Sequence, residues 1–220
     1  MTGNNLKYKK IILILTVLLG WIGLAALLIF AVLRGTDEGI SLITSLGRHY
    51  SYFTIWINTL IAIALTFHWL KPDSKINKLF IKPPINMALA LYILIVAIIF
   101  SLLLRHTSRA EGLELIADRL LHDVVPILYI ILWLFFLRGP GLKWYHLLWW
   151  LGLPLYYLFY ILVRGYFINA YPYYFLRVSE LGYAQVFKNA GGILLAFLLI
   201  SLLLYAVNNM AEYFLQKSKR

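Results

Sequence analysis

The sequence predicts an all-α integral membrane protein, a bundle of six transmembrane helices with both termini in the cytoplasm. Of its 220 residues, 62% are apolar and only 13% are charged, against about 25% charged in ordinary soluble domains. Five runs contain no Asp, Glu, Lys or Arg, and each is long enough to cross a hydrocarbon core of about 30 Å at 1.5 Å per residue. They are residues 11–33, 49–70, 83–104, 144–163 and 189–211.

A sixth span is predicted with less help from composition. The uncharged run 124–137 corresponds to only about 21 Å of helix, which is too short to cross unaided. Either it forms a re-entrant hairpin, or Asp118, Arg119, His122 and Asp123 enter the edge of the membrane. Six full spans are favoured, because a re-entrant segment needs surrounding protein to satisfy its backbone.

The predicted layout is a single domain over residues 1–220. Pro83 and Pro84 suit the first turn of the third helix, where their missing N–H groups are not needed. Pro126 and Pro154 fall inside helices, and each should kink its helix and free a carbonyl. The predicted helices are 10–33, 48–70, 84–105, 117–137, 144–164 and 184–210.

The distribution of Lys and Arg predicts the orientation. Twelve of the 20 lie on the side that holds both termini, and the remaining eight lie on the other side. The positive-inside rule then places the termini in the cytoplasm. The first span is longer than the core of a signal peptide, so we expect it to remain as an uncleaved anchor.

Several function classes are disfavoured by composition and motifs. The chain has no cysteine, which removes disulfides and thiolate metal sites. Its formal charge of +11 is spread over loops and tails, so no nucleic-acid partner is predicted. Phosphate-binding and dinucleotide-binding motifs are missing from the sequence. No span carries a lysine between its ends for a retinal Schiff base, and no cofactor is predicted.

Polar residues inside the predicted spans are the candidates for function, because they are costly there. Thr54 lies about three residues inside the second helix and His122 about four inside the fourth, and these helices run in the same direction. Both side chains are therefore roughly 5–6 Å below the same membrane face. A hydroxyl and an imidazole at equal depth predict a nucleophile and a general base. Asp118, four residues before His122, shares its helix face and could orient the ring.

Further residues extend this candidate site. Asn58, Arg105 or Arg119 could stabilise an oxyanion, and Tyr171, in the tyrosine-rich loop 171–174, could cap the opening or anchor the loop at the interface. Structural alternatives stay open. A membrane threonine commonly bonds its own backbone carbonyl, an asparagine can join helices, and Asp118, Arg119 and His122 could form an interfacial cap.

A metal site is an alternative prediction. His49, His106 and His122 all fall near the outer ends of predicted helices, beside Asp118. Three imidazoles and a carboxylate could bind zinc and activate a water. The spacing does not support this strongly, because no ligand motif such as H-x-x-x-H connects these histidines.

Four stretches carry a family resemblance: SYFTIWIN (51–58), LLHDVVP (120–126), YPYYFL (171–176) and LGYAQVFKN (181–189). Over nearly the whole chain they resemble a set of prokaryotic six-helix membrane proteins with a rhodopsin-like fold. More remotely, the first three resemble the eukaryotic androgen-induced membrane proteins, which are intramembrane threonine hydrolases. The resemblance implies a bacterial cytoplasmic membrane location and a catalytic pair at Thr54 and His122. The resemblance to the androgen-induced membrane proteins supplies no counterpart of Asp118.

These observations together predict an outward-facing intramembrane pocket between the second and fourth helices. We expect Thr54 to attack a lipid ester with His122 as base, so that membrane lipid or another acyl ester is the partner. The sequence leaves open whether the chain is an enzyme at all. The alternative is a non-enzymatic module that binds, senses or transports lipid, and the oligomeric state is also left open.

Overall fold

Six helices form the bundle. A computed structural model describes residues 3–217, and six of its helices are long and apolar enough to cross a membrane, which confirms the predicted fold class. No β-strand occurs in this part of the chain. Lys219 and Arg220, which the charge balance counts, lie outside the described residues, and the orientation of the termini stays a prediction. Spans 1 to 6 are Asn4–Asp37, Phe53–Leu70, Pro83–Leu104, Gly112–Leu137, His146–Ile168 and Val178–Lys217.

The start of span 2 differs from the predicted residue 48. A separate short helix, Leu42–His49, precedes the span, and Ser41 caps it by accepting the N–H of Thr44. The chain then turns, and span 2 begins at Phe53. Thr54 is therefore the second residue of span 2 and lies in its first turn.

Span 4 is a continuous helical segment that begins at Gly112, five residues before the predicted start. Gly112 has a φ of 54°, a conformation that glycine adopts readily, and it turns the chain into the helix. The segment continues to Leu137, so six spans are present and the re-entrant hairpin is wrong. Asp118 and His122 both lie within this helical segment.

In the described residues, spans 3 and 4 contain three π-helical segments, of which one lies inside span 4 and two form the C-terminal ends of the spans. They are Phe100–Leu104, Leu120–Val124 and Trp133–Leu137. Such segments insert an extra residue into a turn and often occur at functional sites. The second one contains His122 and ends just before Pro126.

Two later boundaries also depart from the prediction. Span 5 is interrupted near Trp150, and Pro154 lies in the first turn of the helix Gly152–Ile168, not in a helix interior. Span 6 begins at Val178 and is broken at Gly182, whose φ of 71° and ψ of 158° are not helical. Span 6 therefore consists of a short first helical part and a long second part joined by a kink at Gly182.

Packing of the bundle is tightest around span 3. In its most apolar stretch, 56% of the residues are buried, against 22% in span 6, which lies mostly exposed on the outside of the bundle. Small residues bring span 1 close to its neighbours: a Cβ on Gly20 would lie 3.8 Å from that of Ala62, and one on Gly23 only 2.8 Å from Leu121 Cδ2. Close approach at small residues is how helices associate where lipid removes the hydrophobic drive. Span 1 thus holds spans 2 and 4 together.

Candidate active site

Thr54 and His122 are in direct contact. Thr54 Oγ1 lies 3.2 Å from His122 Nε2, across 68 positions of sequence. Both residues are buried, each about 7% exposed. The structure thus brings together the hydroxyl and the imidazole that the equal-depth argument paired. In place of its own backbone carbonyl, the Thr54 hydroxyl has an imidazole nitrogen as its partner.

The other ring nitrogen of His122 determines the tautomer. His122 Nδ1 lies 3.1 Å from the backbone carbonyl oxygen of Asp118. A carbonyl oxygen can only accept, so we assign the proton to Nδ1. Nε2 is then unprotonated and accepts the hydrogen bond from the Thr54 hydroxyl. This is the arrangement that a general base needs.

Asp118 orients the ring through its backbone and not through its side chain. Its Oδ1 is 3.6 Å from His122 Nδ1, which is beyond hydrogen-bonding distance. Its Oδ2 accepts a hydrogen bond from Ser108 Oγ at 3.3 Å. The carboxylate is still close enough to favour a positive charge on the imidazole electrostatically.

Asn58 connects spans 2 and 4 beside the pair. Its Nδ2 donates to the Thr54 carbonyl at 3.0 Å and to the Leu121 carbonyl at 3.3 Å. Leu121 needs this partner, because its π-helical donor would be residue 126, which is a proline without an N–H, while the N–H of Val125 goes to Leu120. Both Nδ2 hydrogens are thus used, so Asn58 positions the two helices and is not free to bind an oxyanion.

The two arginines predicted at the rim are engaged elsewhere. Arg105 pairs with Asp123, and Arg119 donates to the same carboxylate at 3.1 Å. Neither arginine lines the cavities described below. Arg105 lies over the Phe100 ring at 5.1 Å, and Phe100 stacks on His122 with ring centroids 3.8 Å apart. Arg105 therefore reaches the imidazole only through an aromatic ring.

A polar cavity of about 420 Å³ opens beside the pair. It lies where span 1 ends and span 2 begins, and both Thr54 and His122 line it. At its rim, Arg34 and Arg48 donate hydrogen bonds to the Glu38 carboxylate at 2.8 and 2.7 Å. These hydrogen bonds lower the pKa of Glu38. Besides Tyr52 and Tyr173, its other polar lining residues are Ser45, His49, Thr107, Ser108, Glu114 and Asp118.

A second, apolar cavity of about 80 Å³ lies on the other side of Thr54. Spans 3, 5 and 6 provide most of its wall, including Ile95, Val96, Leu158, Ile193, Leu194 and Phe197. Leu158, Ile193 and Leu194 are only partly buried, so this cavity reaches the lipid-facing side of the bundle. Four residues line both cavities, namely Thr54, Phe100, Leu104 and Tyr173.

The tyrosine-rich loop reaches the site through Tyr173 and not through Tyr171. Tyr171 packs against Gly165, where it occupies the space of a missing side chain, and it lines neither cavity. Tyr173 is buried, and its hydroxyl oxygen lies 3.1 Å from the backbone N of Phe53. The sequence signal was a loop with several tyrosines, which cannot show which of them turns inward.

The zinc alternative finds no support in residues 3–217. No group of three His, Asp or Glu side chains there is placed to hold a metal ion. His49 and His122 both line the polar cavity, but His106 does not. The three predicted histidine ligands are therefore not brought together.

The fold and the site define a polytopic α-helical membrane protein with a buried threonine–histidine pair between two cavities. Comparisons with family models, with curated proteins and with solved structures found no match to this chain. The resemblance to intramembrane threonine hydrolases therefore stays a prediction, and any function assigned to the chain depends on the geometry of the site.

Proposed function

We propose that this protein hydrolyses lipid esters within the membrane, with Thr54 as nucleophile and His122 as general base. The observation that carries the proposal is the 3.2 Å contact between Thr54 Oγ1 and His122 Nε2. The 3.1 Å contact of Nδ1 with the Asp118 carbonyl leaves Nε2 as the acceptor. A nucleophile, a base and a group that orients the base are the three parts of such a site.

The reaction proceeds in two halves. Thr54 Oγ1 attacks the ester carbonyl carbon while its proton moves to His122 Nε2. The tetrahedral intermediate collapses, the C–O bond to the alcohol breaks, and the imidazolium returns the proton to the departing alcohol. Water then attacks the acyl-threonine with His122 again as base, which releases the carboxylic acid and restores the Thr54 hydroxyl.

The two cavities support an orientation for the substrate. The apolar cavity fits the start of an acyl chain, because its wall is aliphatic and aromatic and it reaches the lipid-facing surface between spans 5 and 6. The polar cavity fits the alcohol part and the attacking water, because charged and hydroxyl side chains line it. An ester at Thr54 would therefore lie across the boundary between the two.

The location follows the same reasoning. Six apolar spans are consistent with a multi-pass membrane protein. We place it in the bacterial cytoplasmic membrane on the strength of the prokaryotic resemblance. The charge balance of the loops would then direct the mouth of the polar cavity away from the cytoplasm.

A fluorophosphonate probe that reacts with activated hydroxyls tests the proposal. We expect membranes with the wild-type chain to be labelled, and labelling to be lost in Thr54→Ala and in His122→Ala. Thr16→Ala is the matched control, because Thr16 is also buried but bonds its own helix at the Ile12 carbonyl, 2.7 Å away. Labelling that persists in both site variants, or that never appears in folded wild-type protein, would overturn the proposal.

A non-enzymatic lipid-binding module is the second candidate. It is favoured by the fact that the Thr54–His122 hydrogen bond also satisfies two buried polar groups, which is a structural need in any helix bundle. In that case Thr54→Ala weakens the fold but the wild-type protein reacts with no hydroxyl probe. The same labelling experiment therefore separates the two candidates.

A further inference from the structure

Tyr173 is placed where the two cavities meet. It belongs to the loop between spans 5 and 6, and its ring packs edge-on against Tyr52 and stacks on Phe175, with centroid distances of 5.8 and 5.2 Å. The ring is thus held from two sides. With Thr54 it is one of the few residues that line both cavities.

The phenol oxygen of Tyr173 is bound to the start of span 2. The N–H of Phe53, the first residue of the span, donates to this oxygen over 3.1 Å. N–H groups in the first turn of a helix have no partner within the helix and carry a partial positive charge. Accepting this bond makes the hydroxyl a stronger donor, and its own proton remains to be donated.

The hydroxyl stays protonated at neutral pH. Burial raises the pKa of Tyr173 to about 12. Since Thr54 follows Phe53 directly, the phenol that holds the Phe53 N–H is beside the nucleophile. A neutral, buried donor next to the attacking oxygen is what an oxyanion site requires.

The other candidate donors near Thr54 are already committed. Asn58 spends both amide hydrogens on backbone carbonyls, and Arg105 is bound to Asp123. Tyr157, which also lines the apolar cavity, donates its hydroxyl proton to the Ser51 carbonyl over 2.7 Å. Among these groups, only the Tyr173 hydroxyl has a proton to offer at the boundary between the cavities.

We propose that the Tyr173 hydroxyl is a catalytic residue that stabilises the oxyanion formed when Thr54 attacks an ester carbonyl. This inference rests on the proposed hydrolase function. In the tetrahedral intermediate, the former carbonyl oxygen carries the negative charge, and Tyr173 donates a hydrogen bond to it without transferring its proton. When the alcohol departs, the carbonyl re-forms and the hydrogen bond weakens.

The test compares Tyr173→Phe with Tyr92→Phe in purified full-length protein. Tyr92 is the matched control, because it is also buried and donates one hydrogen bond to a backbone carbonyl, that of Trp150 at 2.8 Å, but lines neither cavity. With p-nitrophenyl octanoate as substrate, we expect Tyr173→Phe to lower kcat about 10²–10³-fold with little change in KM. Tyr92→Phe should retain near wild-type kcat.

A binding measurement separates a catalytic from a structural role. An alkylboronic acid forms a tetrahedral adduct with an activated hydroxyl, whereas an ether of the same length cannot. Tyr173→Phe should weaken boronate binding at least about tenfold, the cost of one hydrogen bond to a charged group, and leave ether binding unchanged. If the boronate and the ether weaken equally, the inference is overturned and Tyr173 only shapes the cavity.

Two further outcomes keep the proposals distinguishable. If Thr54→Ala abolishes hydrolysis while Tyr173→Phe retains wild-type kcat, the oxyanion inference fails and the hydrolase function stands. If Thr54→Ala retains hydrolysis, the hydrolase function itself fails. Should Tyr173→Phe not fold, a difluorotyrosine at this position keeps the shape, and its lower pKa should move the alkaline limit of kcat to lower pH. An unmoved limit would contradict the inference.

Discussion

The hydrogen bonds of Asn58 offer a stability prediction that depends on the π-helical segment of span 4. Asn58→Leu keeps the side-chain volume but removes the bond to Leu121, whose carbonyl has no donor in its own helix because residue 126 is proline. The Thr54 carbonyl also loses a hydrogen bond from the Asn58 side chain, but it keeps the one from the backbone N–H of residue 58 in the regular helix of span 2.

The magnitude follows from these contacts. An unpartnered buried carbonyl costs about 1–3 kcal/mol in proteins generally, and interhelical hydrogen bonds in membranes average about 0.6 kcal/mol with a maximum near 1.7. Removal of Asn58 Oδ1, which is buried without a partner, offsets part of the loss. We therefore expect Asn58→Leu to lower the free energy of unfolding by about 1 kcal/mol.

Pro126→Ala provides the decisive second variant. It restores an N–H that can reach the Leu121 carbonyl in the π-helical segment, so the cost of Asn58→Leu should fall to a few tenths of a kcal/mol in that background. The coupling free energy from a double-mutant cycle is then expected to be about 1 kcal/mol, measured by reversible unfolding in mixed detergent micelles with tryptophan fluorescence. Additive effects of the two substitutions would refute the role of Asn58 as the substitute donor for Leu121.

Three other predictions address the nucleophile, the helix contact and pH. Thr54→Val, which replaces the hydroxyl with a methyl group, should lower ester hydrolysis at least about 10³-fold, while Thr54→Ser retains most of it; equal activity in both would exclude a nucleophilic hydroxyl. Gly23→Leu should displace span 1 from Leu121 and reduce probe labelling, whereas Gly20→Ala, whose Cβ has ordinary contact distances, should not; equal labelling in both would show that span 1 does not position the pair. The pKa of Glu38 is lowered by its hydrogen bonds to two arginines, so its contribution to stability is present above the ordinary carboxyl range and is lost as pH falls through the lowered pKa. Thermal melts should therefore differ between wild type and Glu38→Gln at about pH 7, and the difference should shrink as the pH falls through the lowered pKa of Glu38; equal melting temperatures at about pH 7 would contradict the ion pairing.

The bundle could be predicted because the cost of burying charge is visible in composition. Uncharged runs marked five spans directly, and the length of helix needed to cross lipid implied the sixth. The start of span 4 was placed too late, at 117 instead of Gly112. Glu114 resembles a loop residue in a sequence, but in the structure it lines the polar cavity, so the helix can carry it without exposing it to lipid.

The pairing of Thr54 with His122 could be predicted from the sequence, but their contact could not. Depth follows from the rise per residue, which is why the sequence alone could pair Thr54 with His122. Their contact depends on the close approach of span 1 at Gly23 and on the π-helical turn that contains His122. Neither feature has a reliable signature in a single sequence.

The roles of the surrounding residues were harder to assign. Asn58 was a candidate oxyanion donor because its residue type permits it, but the freed Leu121 carbonyl uses its hydrogens. Tyr171 and Tyr173 belong to the same loop, and their side chains have different contacts. Tyr171 packs against Gly165, whereas the Tyr173 hydroxyl binds the N–H of Phe53. Residue type alone could not separate a structural tyrosine from one that faces the nucleophile.

An acyl-threonine intermediate tests the central claim most directly. Wild-type protein mixed with p-nitrophenyl octanoate, quenched in acid and digested, should give a peptide whose mass is increased by one octanoyl group, with fragmentation assigning it to Thr54. The adduct should be missing in His122→Ala treated in the same way. An octanoyl group on another residue, or on Thr54 in equal amount without His122, would contradict the claim that the imidazole activates this hydroxyl.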